Sequence, residues 1–214
     1  MRAANFPMTL VAIPIAAYLL GSIPFGLLLT KAFGRGDVRK VGSGNIGATN
    51  VARAAGLLAG ISTLVLDVAK GAGAVLLAER LSNNTATWMM IAAFAALLGH
   101  CFPIWLRFKG GKGVATAAGI FLVLSPLACL AAVAFFVLVV VFWRYVSLGS
   151  VSAAAAMPLL IYFLWAPRHA PPSPVMLGVV AVALLIIYKH LGNLQRLVEG
   201  AEPKFSFSKN KGAE

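Results

Sequence analysis

"GVATAAGIFLVLSPLACLAAVAFFVLVVVFW" (Gly113–Trp143) is the stretch whose reading decides the fold. It is too long for one ordinary membrane-crossing helix and short for two. Ser125-Pro126 sits inside it. A proline there interrupts a helix, because it has no N–H to donate and its ring collides with the preceding turn. If the chain turns at this dipeptide, everything after Trp143 changes sides of the membrane.

Working outward, the surroundings are equally apolar. The 214-residue chain is 60% hydrophobic and 11% charged, with a mean hydropathy of +0.90. Soluble domains are about a quarter charged, so this composition indicates an integral membrane protein. Spans are expected at about 8–30, 56–78, 87–106, 114–124, 127–143, 151–166 and 174–189, the fourth being short. The N-terminal apolar run continues to Leu29, past the length of a signal-peptide core and without a convincing cleavage site, so it reads as the first span.

Charge settles the turn. With it, Lys31, Arg35, Arg39, Lys40, Arg53, Arg107, Lys109, Lys112, Arg144, Lys189, Arg196, Lys204, Lys209 and Lys211 share one face. Arg2, Arg80 and Arg168 lie on the other. Without it the asymmetry largely collapses. The positive-inside rule therefore favours an all-α protein of about seven spans, N-terminus periplasmic and C-terminus cytoplasmic, forming one domain over 1–214. The net charge of +12 is thus a topology signal, with no nucleic-acid partner implied. Cys101 and Cys129 stand in apolar runs and read as small buried hydrophobes.

Three polar segments fall on the cytoplasmic face: 38–56, 99–119 and 188–205. In the first, Ser43, Asn45, Thr49, Asn50 and Arg53 stand among Gly42, Gly44 and Gly47. Glycines let backbone N–H groups turn toward a ligand, and an arginine grips phosphate with two parallel bonds. The second contains "RFKGGKG" (Arg107–Gly113), where Lys109, Gly110, Gly111, Lys112 and Gly113 have the physical parts of a phosphate loop. It is not a Walker A loop, since Leu106 replaces the first glycine and Gly113 the Ser or Thr after the lysine. In the third, His190, Asn193 and Arg196 recur every three residues and share one helix face. Asp67 and Lys70, inside the second span, read as a structural ion pair, and His100 as a residue orienting its loop. His169 is assigned no role.

No G-x-S-x-G elbow occurs, and no His, Cys and carboxylate cluster has metal-ligand spacing, so neither metal nor cofactor is expected. No His is followed after four residues by Asp; Trp105, Pro174 and Gln195 stand there, which excludes the motif of soluble-type glycerolipid acyltransferases. What remains suits substrates that bring their own reactivity to a protein that positions them and neutralises charge.

"GSGNIGATNVARAAG", "GHCFPIWLRFKGGKGVATAAG" and "KHLGNLQRL..GAEPK", with "GSIPFG" (21–26) and "LDVAKG" (66–71), resemble the bacterial acyl-phosphate-dependent glycerol-3-phosphate acyltransferases, the PlsY family. The resemblance runs in order over essentially the whole chain. It implies a seven-span inner-membrane enzyme making 1-acyl-glycerol 3-phosphate from acyl phosphate and sn-glycerol 3-phosphate, among membrane lipids and coupled to the enzyme that supplies acyl phosphate. The family's catalytic serine and arginine match Ser43 and Arg53, and its glycerol phosphate loop matches Gly110–Gly113 with Lys112 as the key cation. Its C-terminal His and Asn match His190 and Asn193, and the glutamate of its G-x-E motif matches Glu202 as a structural residue. Leu191-Gly192 departs from the family's usual arginine and polar residue. Two other classes compete: a transporter of a phosphorylated solute, and a non-catalytic scaffold holding anionic lipid. The first would place more ionisable groups at the midplane, and neither predicts acyl transfer.

Overall fold

A computed structural model describes residues 8–165 and 171–205. Arg2, Arg168, His169, Lys209 and Lys211 lie outside the described residues. Ten α-helices follow in order: α1 (Met8–Gly21), α2 (Phe25–Ala32), α3 (Ala48–Ala55), α4 (Leu57–Leu81), α5 (Ala86–Cys101), α6 (Val114–Leu124), α7 (Pro126–Trp143), α8 (Val146–Leu164), α9 (Ser173–Lys189) and α10 (Leu191–Val198).

The chain does break at Ser125: α6 stops at Leu124, and Pro126 opens α7 at the one helical position where a missing N–H costs nothing. Contacts at its two ends show that α7 then runs back. Near the break, Ser125 Oγ lies 3.5 Å from the Leu164 carbonyl at the far end of α8. At the other end of α7, the Arg144 carbonyl accepts from the Phe205 N–H at 2.6 Å, and Ser147 Oγ donates to Glu202 at 2.7 Å. The ends of α1, α5 and α9 gather at this same end, where Tyr18 Oη donates to the Phe102 carbonyl and Lys189 Nζ to that of Cys101. All three polar segments therefore lie at one end of the bundle.

Two expected boundaries move. The first span, read as continuous over 8–30, is interrupted at Ser22–Pro24, because Pro24 cannot donate into the helix. The carbonyl of Ile23 freed there accepts from Lys70 Nζ at 2.9 Å. The 144–149 stretch is not a loop: α8 begins at Val146, five residues before the expected 151. Among the described residues, five segments are long and apolar enough to cross a membrane, and a sixth if α9 and α10 count as one span across their 54° bend. The 11 residues of α6 rise about 16 Å, roughly half a hydrocarbon core. The exposed apolar belt includes Leu127, Leu130, Phe142, Phe163 and Leu184, as expected of surfaces facing lipid chains.

In lipid, apolar surface alone does not bring helices together, so close packing has to do it, and small residues carry the crossings. Gly71 and Gly119 meet where α4 crosses α6; a Cβ on Gly71 would lie 2.1 Å from the Thr116 carbonyl oxygen, and one on Gly119 1.9 Å from that of Val68. Gly21 and Gly99 do the same for α1 and α5, against Ala96 and Tyr18. Around α5 the core closes with Met90, Ala93, Ala96 and Leu97 against Ile13, Val75 and Val179. Gly119→Val should lower the unfolding temperature in detergent, at a cost of about 1–3 kcal/mol. Unchanged melting would show that the crossing has slack.

Candidate active site

A cavity of about 970 Å³ opens at the polar end and continues between α6, α7, α8 and α9. Its two halves differ in chemistry. The polar half is lined by Ser43, Asn45, Thr49, Arg53, Asp67, His100, Lys112, His190, Asn193, Arg196 and Glu202. The other half is lined by Phe121, Cys129, Ala132, Val133, Phe136, Ala154, Met157, Val182 and Ile186. Three segments far apart in sequence thus form one site.

The polar half is held by one carboxylate. Glu202 Oε1 accepts from Ser147 Oγ and from Asn193 Nδ2, both at 2.7 Å, and Oε2 accepts from Arg196 Nε at 2.9 Å. Asn193 Oδ1 in turn accepts from Lys112 Nζ. Burial pushes the Glu202 carboxyl up, but these hydrogen bonds outweigh it and hold the pKa below the ordinary value, so the group is an anion. Lys112 is partly enclosed, and its pKa falls to about 8, first through burial and then through the nearby charges of Arg196 and Lys189, against the attraction of Glu202. His190 is buried, and its Nδ1 lies 2.8 Å from the Ile186 carbonyl. A carbonyl only accepts, so Nδ1 carries a proton and Nε2 of the neutral ring keeps a free lone pair.

The first segment divides its labour. Asn50 Oδ1 accepts from the Ser43 N–H at 3.1 Å, while its Nδ2 donates to the carbonyls of Val38, Val41 and Asn45. Asn50, expected to meet a phosphate, lines the cavity and also braces the 38–50 loop. Gly42 leaves it room: φ is +56° there, and a Cβ would lie 2.4 Å from Asn50 Oδ1. Asn45 Oδ1 accepts from the Gly47 N–H at 2.8 Å just before α3. Thr49 and Arg53, one turn apart on α3, both reach the cavity.

The glycine-rich loop also differs from the reading of its sequence. Gly110 and Gly111 are not part of the cavity lining; their N–H groups donate to the carbonyls of Cys101 and His100 at 3.2 and 3.1 Å, closing the end of α5. Lys109 is exposed, and neither it nor Gly44 lines the cavity. Gly113, Val114 and Ala115 do line the cavity; they form the start of α6, whose first N–H groups have no partner within the helix. The start of α3, at Ala48 and Thr49, faces it too.

The reading of the sequence passed over Ser147, which fell between the spans expected at 127–143 and 151–166, and the entire apolar half. The run "SVSAAAA" (150–156) was the available signal, since consecutive small side chains on a buried helix leave space. Cys101 and Cys129 are buried free thiols as expected. Asp67 pairs with Lys70 at 2.8 Å.

The family model described as glycerol-3-phosphate acyltransferase matches residues 11–200. The chain belongs to this PlsY family. The glycerol-3-phosphate acyltransferase of Syntrophotalea carbinolica is 51% identical over 192 residues, 89% of this chain and 95% of that one. That of Trichlorobacter lovleyi is 53% identical over 192 residues, covering 88% and 94%. The glycerol 3-phosphate form of PlsY, an integral membrane protein, superposes with a TM-score of 0.85 at 37% identity over 92% of this chain and 96% of that one. Its lysophosphatidic acid form gives 0.82 at 36% over 92% and 95%. The family likeness and the apolar helices make the chain a multi-pass membrane protein of the acyltransferase class.

One expectation follows from the Lys112 ammonium. It is charged below about pH 8 and loses its proton as the pH rises past that value. Binding of inorganic phosphate, measured by titration calorimetry, should weaken above this pH in the wild-type protein. Lys112→Arg, charged throughout, should flatten the decline; an identical decline in both would clear Lys112 of the role.

Proposed function

We propose that this protein transfers a fatty acyl group from acyl phosphate to the 1-hydroxyl of sn-glycerol 3-phosphate, releasing inorganic phosphate and 1-acyl-sn-glycerol 3-phosphate in the first step of phospholipid synthesis. The observation that carries the reading is the single cavity with an apolar half for a fatty chain and a cationic half for phosphates. Both substrates bring a phosphate. Two helix starts and the cations Arg53, Lys112 and Arg196 face that half, which is what bringing two anions together demands.

An acyl phosphate is already activated, so no protein nucleophile is needed. The glycerol hydroxyl oxygen attacks the acyl carbonyl carbon, the bond from that carbon to the phosphate oxygen breaks, and phosphate leaves with the electron pair. The hydroxyl proton goes to a substrate phosphate or to His190 Nε2. Lys112 and Arg196 hold the glycerol phosphate, Asn193 orients Lys112, and Arg53 holds the donor's phosphate. Ser43 donates a hydrogen bond to the charge growing on the carbonyl oxygen. No acyl-enzyme forms. The protein lies in the bacterial inner membrane as seven segments, the fourth being the half-length α6, with the cavity mouth on the cytoplasmic side where glycerol 3-phosphate is dissolved.

Purified protein given glycerol 3-phosphate should form lysophosphatidic acid with acyl phosphate and not with acyl-CoA; product from acyl-CoA alone would overturn the donor. Ser43→Ala should lower kcat by about a hundredfold. Recovery of wild-type protein acylated on Ser43 would refute direct attack. Lys112→Ala should raise KM for glycerol 3-phosphate or abolish turnover, and unchanged kinetics would sink its role.

A further inference from the structure

We infer that the imidazole of His100 is a positioning residue for Lys112, shaping the 110–113 loop from beneath, and that Gly111 is a glycine to make room for this ring. The inference rests on the reading of Lys112 as the phosphate-holding cation. His100 is buried at the last turn of α5, and its ring touches two partners. On one side, Nδ1 lies 3.7 Å from Asp67 Oδ1, too long for a hydrogen bond but close enough for charge and packing to orient the ring. On the other side lies Gly111, where a Cβ would fall 2.1 Å from Nε2 and 2.8 Å from Cε1. That is shorter than any real contact, so the ring and an alanine cannot occupy their present places together.

The loop rests on this residue twice, because the backbone carbonyl of His100 also accepts the Gly111 N–H. Lys112 is the next residue, and it reaches Asn193 and the Glu202 cluster from there. Asp67 is itself held by Lys70, whose ammonium is anchored on Ile23 at the break between α1 and α2. The ion pair inside the span thus steadies the ring that supports the loop. The usual reading of a glycine in such a loop, an open backbone for the phosphate, does not apply to Gly111, whose N–H is committed to α5.

The test is a double-mutant cycle on the full-length protein in detergent. It is read by inorganic phosphate affinity, by KM for glycerol 3-phosphate and by folded yield. His100→Ala removes the ring and leaves the carbonyl, so phosphate affinity should fall by about threefold. Gly111→Ala should cost about tenfold or more, in affinity or in folded yield, with kcat much less affected than KM. The double variant should match His100→Ala alone, since the clash has gone. If the two losses multiply, or if Gly111→Ala remains as damaged without the ring, the inference is overturned. Wild-type turnover in the same preparation separates the two levels: an inactive wild type that binds no phosphate fails the proposed function, whereas an active wild type with multiplying losses fails this inference alone.

Discussion

Backbone-to-backbone contact between helices is the constraint on which this structure rests. At the α4–α6 and α1–α5 crossings, glycines allow approaches that any side chain would block. Lipid supplies no hydrophobic drive to bring helices together, so close packing has to do it. These crossings also place the site. Gly119 is six residues beyond Gly113, and Gly99 immediately precedes His100, so the same contacts that build the bundle set the height of the 110–113 loop against α5.

Around that loop, charge is used sparingly. Cations from three segments face the cavity, and two carboxylates, Asp67 and Glu202, are set among them. Each is committed: Asp67 to Lys70, Glu202 to Arg196, Asn193 and Ser147. Lys112 is left without a direct carboxylate partner and reaches Glu202 through the amide of Asn193. A cation held by a neutral carbonyl oxygen stays oriented while its charge remains available to an anion, which a direct ion pair would have cancelled. Burial lowers its pKa at the same time, a cost that an incoming phosphate reverses.

The arrangement also accounts for the two kinds of substrate that the family uses. A fatty chain needs an apolar channel, and a glycerol phosphate needs an aqueous mouth. Small residues on α8, with Ala132 on α7, leave the first; the ends of α5 and α9 and the starts of α3 and α6 surround the second.

Composition, charge asymmetry and the Ser125-Pro126 break determined the membrane class, the reversal of the chain and the gathering of the polar segments at one end of the bundle. These are one-dimensional properties: hydropathy and charge are summed along the chain, and a proline acts on its own helix. The sequence also named most of the cavity's polar residues, because Ser43, Arg53, Lys112, His190 and Asn193 belong to compact motifs. Only the tertiary structure decided what individual groups do with their hydrogen bonds. Asn50 braces its own loop, Gly110 and Gly111 close α5, and Ser147 joins Glu202 across 55 residues. A hydrogen bond is spent once, and where it is spent depends on neighbours that sequence spacing does not specify. For the same reason the small residues of 150–156 only hinted at the apolar half of the cavity: a void belongs to the packing between helices, which no single run of sequence specifies.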